Sequence, residues 1–255
     1  MNGQNRLLEA FARDAGAGIP EMAPADEILS LLPHFDYPAQ LTAIRDLLRR
    51  ERAADAETTR AIRALESAPA SQQAVDERVD RLHGSVYQDA AHSMAAVGML
   101  APLAESLYRY SLIALGERHA RTGLPAPSHP RFIKARAWDP TNNGKRGIVA
   151  GIREICDAAG ISPLLPSEAL RYLDALFAYR NAMFHNGLEW PPDERASFRS
   201  RASGWPDDWF VWSATGGEPW IAYMTEEFID GVLTMLEDTM DGFGRFARNL
   251  SSRVR

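Results

Sequence analysis

The sequence predicts an all-α protein: an antiparallel helical bundle with an N-terminal helical extension and a small late β-hairpin. Three observations carry this. Apolar residues recur at helical spacing in one segment after another. No alternation of strand and helix units of the kind that builds a doubly wound sheet occurs along the chain. One stretch alone reads as strand: WFVWSA and WIAYMT are aromatic and β-branched, and TGGEP between them is turn chemistry. The 255 residues are 45% hydrophobic, enough for one large core or two modest ones. We place an arm and helical extension at residues 1–70 and the bundle at 71–255, with the hairpin inserted near 205–225.

In order along the chain, residues 1–25 are rich in Gly, Ala and Pro and predict a loose arm. Asp26 is placed as the N-cap of a short helix, EILSLL, ended by Pro33. Pro38 opens the next helix, with Leu41, Ile44, Leu47 and Leu48 on one face and a charged, solvated second half; Pro69 stops it. Ser71 opens a long pattern that becomes apolar nearly all round, as expected of the central helix of a bundle. Gly84 and Pro102 are expected to kink or break it. Residues 121–147 hold four prolines and several turn signals, which predicts a long loop. Helix returns at Ile148–Ala159 and again after Pro166, with Leu170, Leu173, Leu176 and Phe177 inward and Asn186-Gly187 as its stop. The last helix places Phe228, Val232, Met235, Leu236 and Met240 on its apolar face.

Charge and motifs exclude several function classes. With a net charge of -6 and a pI near 5.6, the whole surface is not built for a polyanion, so any nucleic-acid contact needs a local basic patch. The loop residues Arg131, Lys134 and Arg136 form such a patch, with Lys145 and Arg146 beyond them, and are the candidate substrate-binding cations. A single cysteine, Cys156, rules out an intrachain disulfide and a CxxC metal cluster, and its apolar setting predicts a small buried hydrophobe. Neither GxGxxG nor GxxxxGK[ST] occurs, HExxH is missing, and no two of the six histidines stand at i,i+3 or i,i+4. The expectation is therefore no metal and no cofactor. Met94–Leu115 has spanning length, but Glu105 and Arg109 lie inside it and are expected to pair at i,i+4 on a buried core helix. With no basic n-region followed by an apolar h-region at the start, a cytoplasmic protein with no membrane partner is expected.

The stretch AYRNAMFHNGLE carries the chemistry. Arg180 offers a planar donor fork that matches phosphate oxygens, His185 can move a proton near neutral pH, and Asn181 can orient either one. Asn181 and His185 share a helix face, about 40° apart, whereas Arg180 and His185 stand about 140° apart. The helix end signalled by Asn186-Gly187 is expected to let Arg180 and His185 converge despite this spacing. These three residue types suit RNA cleavage by the ribose 2′-hydroxyl: a base takes its proton, the oxygen attacks the adjacent phosphate, and a cation stabilises the crowded anionic state. The same Arg-x4-His interval recurs at Arg78 and His83, but without a polar residue after the arginine or a nearby Asn-Gly stop.

The segment YRNAMFHNG resembles the signature of HEPN domains (higher eukaryotes and prokaryotes nucleotide-binding): an arginine, a polar residue, and a histidine a few residues on. The resemblance implies a HEPN-like bundle of four or five helices and a metal-independent endoribonuclease of a toxin–antitoxin or other defence system. It implies a homodimer that joins two motifs across its interface, with RNA as substrate and an antitoxin or other protein as partner. Arg180 would stabilise phosphate, His185 would serve as acid or base, and Asn181 would orient. The alternative is a non-catalytic HEPN-like helical module that dimerises and binds a protein or nucleotide. The resemblance covers about nine residues; the N-terminal extension, the Pro-rich loop and the aromatic hairpin lie outside it.

Overall fold

In the computed structural model, residues 22–66, 72–133, 136–143, 146–215 and 217–252 are described. The expected arm, up to residue 21, and Lys134 and Lys145 lie outside them. The described residues form seven α-helices, α1 (Pro24–Ser30), α2 (Tyr37–Glu66), α3 (Gln72–Arg121), α4 (Gly147–Ala159), α5 (Ala169–Asn186), α6 (Pro192–Ala202) and α7 (Glu226–Ser252). A two-stranded antiparallel hairpin, β1 (Phe210–Thr215) and β2 (Glu218–Met224), precedes α7. The predominantly helical class and the late hairpin are as the patterning predicts. No helix among the described residues is long and apolar enough to cross a membrane.

Local chemistry sets the helix ends. Pro24 occupies the first turn of α1, with Ala23 at the N-cap, so the helix starts two residues before the expected cap; Asp26 sits inside the first turn, facing the positive end of the helix dipole. Asp36 Oδ1 accepts the Ala39 N–H at 3.0 Å and caps α2.

The expected break in α3 is absent. The helix runs unbroken for 50 residues, roughly 75 Å at 1.5 Å per residue, with Pro102 inside it. The ring of Pro102 faces solvent, while its neighbours Ala101, Leu103 and Ala104 are buried. Burial of that face holds the helix through the missing hydrogen bond.

The core lies where α3 and α7 meet. Leu100, Leu107, Leu112 and Leu115 of α3 are buried together with Phe228, Val232, Leu236 and Phe243 of α7. Ile28, Tyr37, Leu41 and Leu48 of the N-terminal segment join the same cluster. The polar pair Tyr108 and Thr239, bonded at 2.9 Å, crosses this core, so neither hydroxyl is left unsatisfied. Gly244 lets α1 close on α7, because a Cβ there would strike the Pro24 carbonyl. Cys156 is buried, as expected, and burial pushes its thiol well above the ordinary range.

Candidate functional site

Helix α5 is anchored by its inner face. Leu173, Leu176, Tyr179 and Met183 are buried, and the Tyr179 hydroxyl donates to the Ala222 carbonyl of β2 at 3.0 Å. Burial pushes that phenol upward, so it stays a neutral donor. The C-terminus is closed by Gly187 at φ 73°, whose N–H bonds the Met183 carbonyl at 2.8 Å. The Trp190 indole N–H then bonds the Gly187 carbonyl at 2.9 Å and fixes the exit of the chain. The Asn-Gly stop is therefore where the sequence places it.

Outward, the motif divides between two flanks of α5. Arg180 turns toward α3 and pairs with Glu105 at 3.6 Å. Asn181 and His185, both exposed, line a recess of about 250 Å³ against α6, together with Glu194, Ser197 and Arg201. The helix remains regular through Asn186, so the angular separation of about 140° persists and Arg180 does not enter the His185 recess. Phe184, 58% exposed, occupies the arc between the two flanks and lies over Gly98 of α3.

The recess owes its far wall to α6, a helix that was not anticipated. Its signals were present: Pro191-Pro192 followed by Asp193 and Glu194 is a helix start, and Arg199 and Arg201 sit in the last turn. Arg201 is held by Asp174 of α5 at 2.6 Å, and the same carboxylate accepts the Trp205 indole N–H at 3.2 Å. Asp174 thereby fixes the position of a cation one wall away from His185.

The other predicted cations fall elsewhere. Arg131 is only 8% exposed and is engaged by its own loop and α4: it donates to the Ala137 carbonyl (2.7 Å), the Asp139 carbonyl (2.5 Å), Asn143 (3.3 Å) and Glu154 (3.1 Å). Such a buried guanidinium, with four of its five N–H groups engaged, organises the loop and is not presented to a substrate. Arg136 is exposed on the same loop, on the α3 side of the fold rather than beside α6. Glu105 and Arg109 do not serve as each other's main partners: Glu105 reaches Arg180, and Arg109 reaches Asp139 at 3.2 Å. Of the hairpin tryptophans, Trp205 and Trp209 are buried, while Trp212 and Trp220 are partly exposed. Among the described residues, no cluster of His, Cys, Asp and Glu has the arrangement of a metal site.

Fold and site together define a predominantly helical protein with an exposed polar recess at the end of one helix. Comparison with protein-family models, with curated proteins and with solved structures finds no match.

Proposed function

We propose that the protein is a HEPN-like, metal-independent endoribonuclease of a defence or toxin-type system whose site is completed by a second copy of the chain. The observation that carries this is the exposed pairing of Asn181 with His185 in one polar recess at the end of α5. A histidine there can reach a 2′-hydroxyl, and Asn181, one turn earlier on the same face, can hold the imidazole or the phosphate. Arg180 lies on the opposite edge of the exposed arc of α5, so within one chain it does not reach the same point. A second copy docked over that arc meets both edges at once, bringing its own Arg180 near this His185. The arc suits such docking: Phe184 projects from it, and the adjoining face of α3 presents the small exposed residues Ala91 and Ala95 and the exposed Pro102.

The test is RNA cleavage in EDTA by wild type, Arg180→Ala and His185→Ala, with products checked for 2′,3′-cyclic phosphate and DNA as the control. Cleavage that both variants retain in full rules out this site.

The engagement of Arg180 by Glu105 favours a second reading, a binding module that dimerises through the same arc without chemistry. That reading predicts a stable dimer and intact RNA under all conditions. Growth arrest on overexpression that disappears with His185→Ala excludes it.

A further inference from the structure

One helical turn beyond Glu105 on α3, a cavity of about 700 Å³ opens between the helix and loop residues 124–132 and 136–139. Its size is that of an ordinary small-molecule site. One wall is aromatic: Trp138 meets Phe132 edge-on at 5.2 Å and His119 at 5.7 Å between ring centres. The loop is seated on the helices by glycines. A Cβ at Gly116 would strike the Trp138 indole, and one at Gly151 would strike the Pro140 carbonyl. Arg131, with its four bonds into the loop and α4, fixes the wall from behind. Arg136 at the rim adopts φ 58°, a left-handed conformation that costs energy for a residue with a side chain.

The polar groups of the cavity are unevenly committed. Asp139 is already engaged three times, accepting from the Thr141 N–H (3.0 Å), the Thr141 hydroxyl (2.6 Å) and Arg109 (3.2 Å). Glu117 pairs with Arg121 at 3.5 Å. The cations hold donors in reserve. Arg109 spends one Nη2–H on Asp139, and its Nε–H is shielded from solvent without an acceptor. Arg136 has no side-chain hydrogen bond or ion pair among the described residues. Spare donors beside a fixed aromatic wall call for an acceptor carried on a ring.

We propose that this cavity is a ligand site for a flat aromatic anion of one or two rings, stacked on Trp138 with its carboxylate or phosphate on Arg109 and Arg136. The assignment does not depend on the ribonuclease reading. It is tested by titration calorimetry of the full chain with indole-3-acetate and phenyl phosphate, and with indole and acetate as controls. At least one aromatic anion binds one per chain, at least about tenfold tighter than indole or acetate, the share expected of a charged hydrogen bond. The two anions differ in headgroup, so their ranking tells a carboxylate site from a phosphate site. Ala120→Trp fills the mouth without removing a contact and abolishes the heat. Arg136→Gln, which leaves the Arg109–Asp139 pair intact, weakens binding severalfold; melting curves confirm that both variants fold. No heat with either anion, indole binding as tightly as indole-3-acetate, or binding unchanged in Ala120→Trp overturns the proposal.

Discussion

Arg180 and Glu105 stand 3.6 Å apart across the contact of α5 with α3, on the flank of α5 turned away from His185. Both side chains are more than a third exposed, so the pair contributes at most about 1 kcal/mol to stability. Arg180→Ala should therefore leave the urea midpoint almost unchanged. If the ribonuclease proposal holds, the same variant lowers cleavage by about 100-fold, the cost of removing one transition-state donor. Glu105→Gln releases the guanidinium and should raise cleavage or leave it unchanged; a large fall would make the ion pair itself part of the site.

Asp174 is the one acceptor shared by Arg201 and the Trp205 indole. Asp174→Ala should destabilise the protein by about 1 kcal/mol, mainly through the buried Trp205 indole N–H that loses its acceptor, because the Arg201–Asp174 pair is more than a third exposed and adds little. If the ribonuclease proposal holds, RNA affinity falls as well, because Arg201 lines the recess, measured by filter binding with His185→Ala as the background.

Gly116→Ala pushes a methyl group into the Trp138 ring. Overpacking of this kind costs about 1–3 kcal/mol, and the indole can escape only by lifting the loop from α3. A change in tryptophan fluorescence accompanying the loss of stability would report that movement.

Pro102→Ala should stabilise α3. The ring faces solvent, so little packing is lost, while a helical N–H is restored. A gain of about 1–3 kcal/mol in a denaturant series is expected, and a loss would show that the helix depends on a bend at this point.

The Asp139 carboxyl is subject to burial, which raises its pKa, but donation from the Thr141 side chain and backbone and from Arg109 outweighs this and holds it below the usual carboxylate range. A depressed folded-state value means that its stabilising share is fully present above the unfolded value and is lost as pH falls through the folded one. Acid titration should therefore loosen the contacts of residues 136–141 with α3 only below about pH 4, where unfolded aspartate titrates. Asp139→Asn should remove that acid step, seen in the pH dependence of the melting temperature.

Much of this molecule was legible from residue spacing. Periodicity located α2, α3, α4, α5 and α7, and the turn chemistry of TGGEP located the hairpin, because both signals are local and repeat over many residues. α6 escaped because its face is nearly uniformly polar: of its 11 residues only Phe198 is buried, so no apolar stripe marks it. Its end signals, Pro192 with Asp193 and Glu194 at the start and Arg199 and Arg201 in the last turn, were the available trace.

The sequence by itself determined the helical class, the late hairpin, the end of α5 at Asn186-Gly187 and the shared face of Asn181 and His185, since each follows from backbone geometry within a few residues. Only the tertiary structure decided what each charge faces. Arg131 looked free beside Lys134 and Arg136, yet folding buries it under four acceptors. Glu105 and Arg109 looked like a mutual pair, yet each finds a partner on another element, Arg180 and Asp139. Glu194, Ser197 and Arg201 reach the His185 recess because buried Phe198, packed on Tyr179, and the Asp174 contacts to Arg201 and the Trp205 indole hold α6 beside α5. A long polar side chain can serve several neighbours, and which one it serves is set by the packing of apolar faces that no local pattern of charge records.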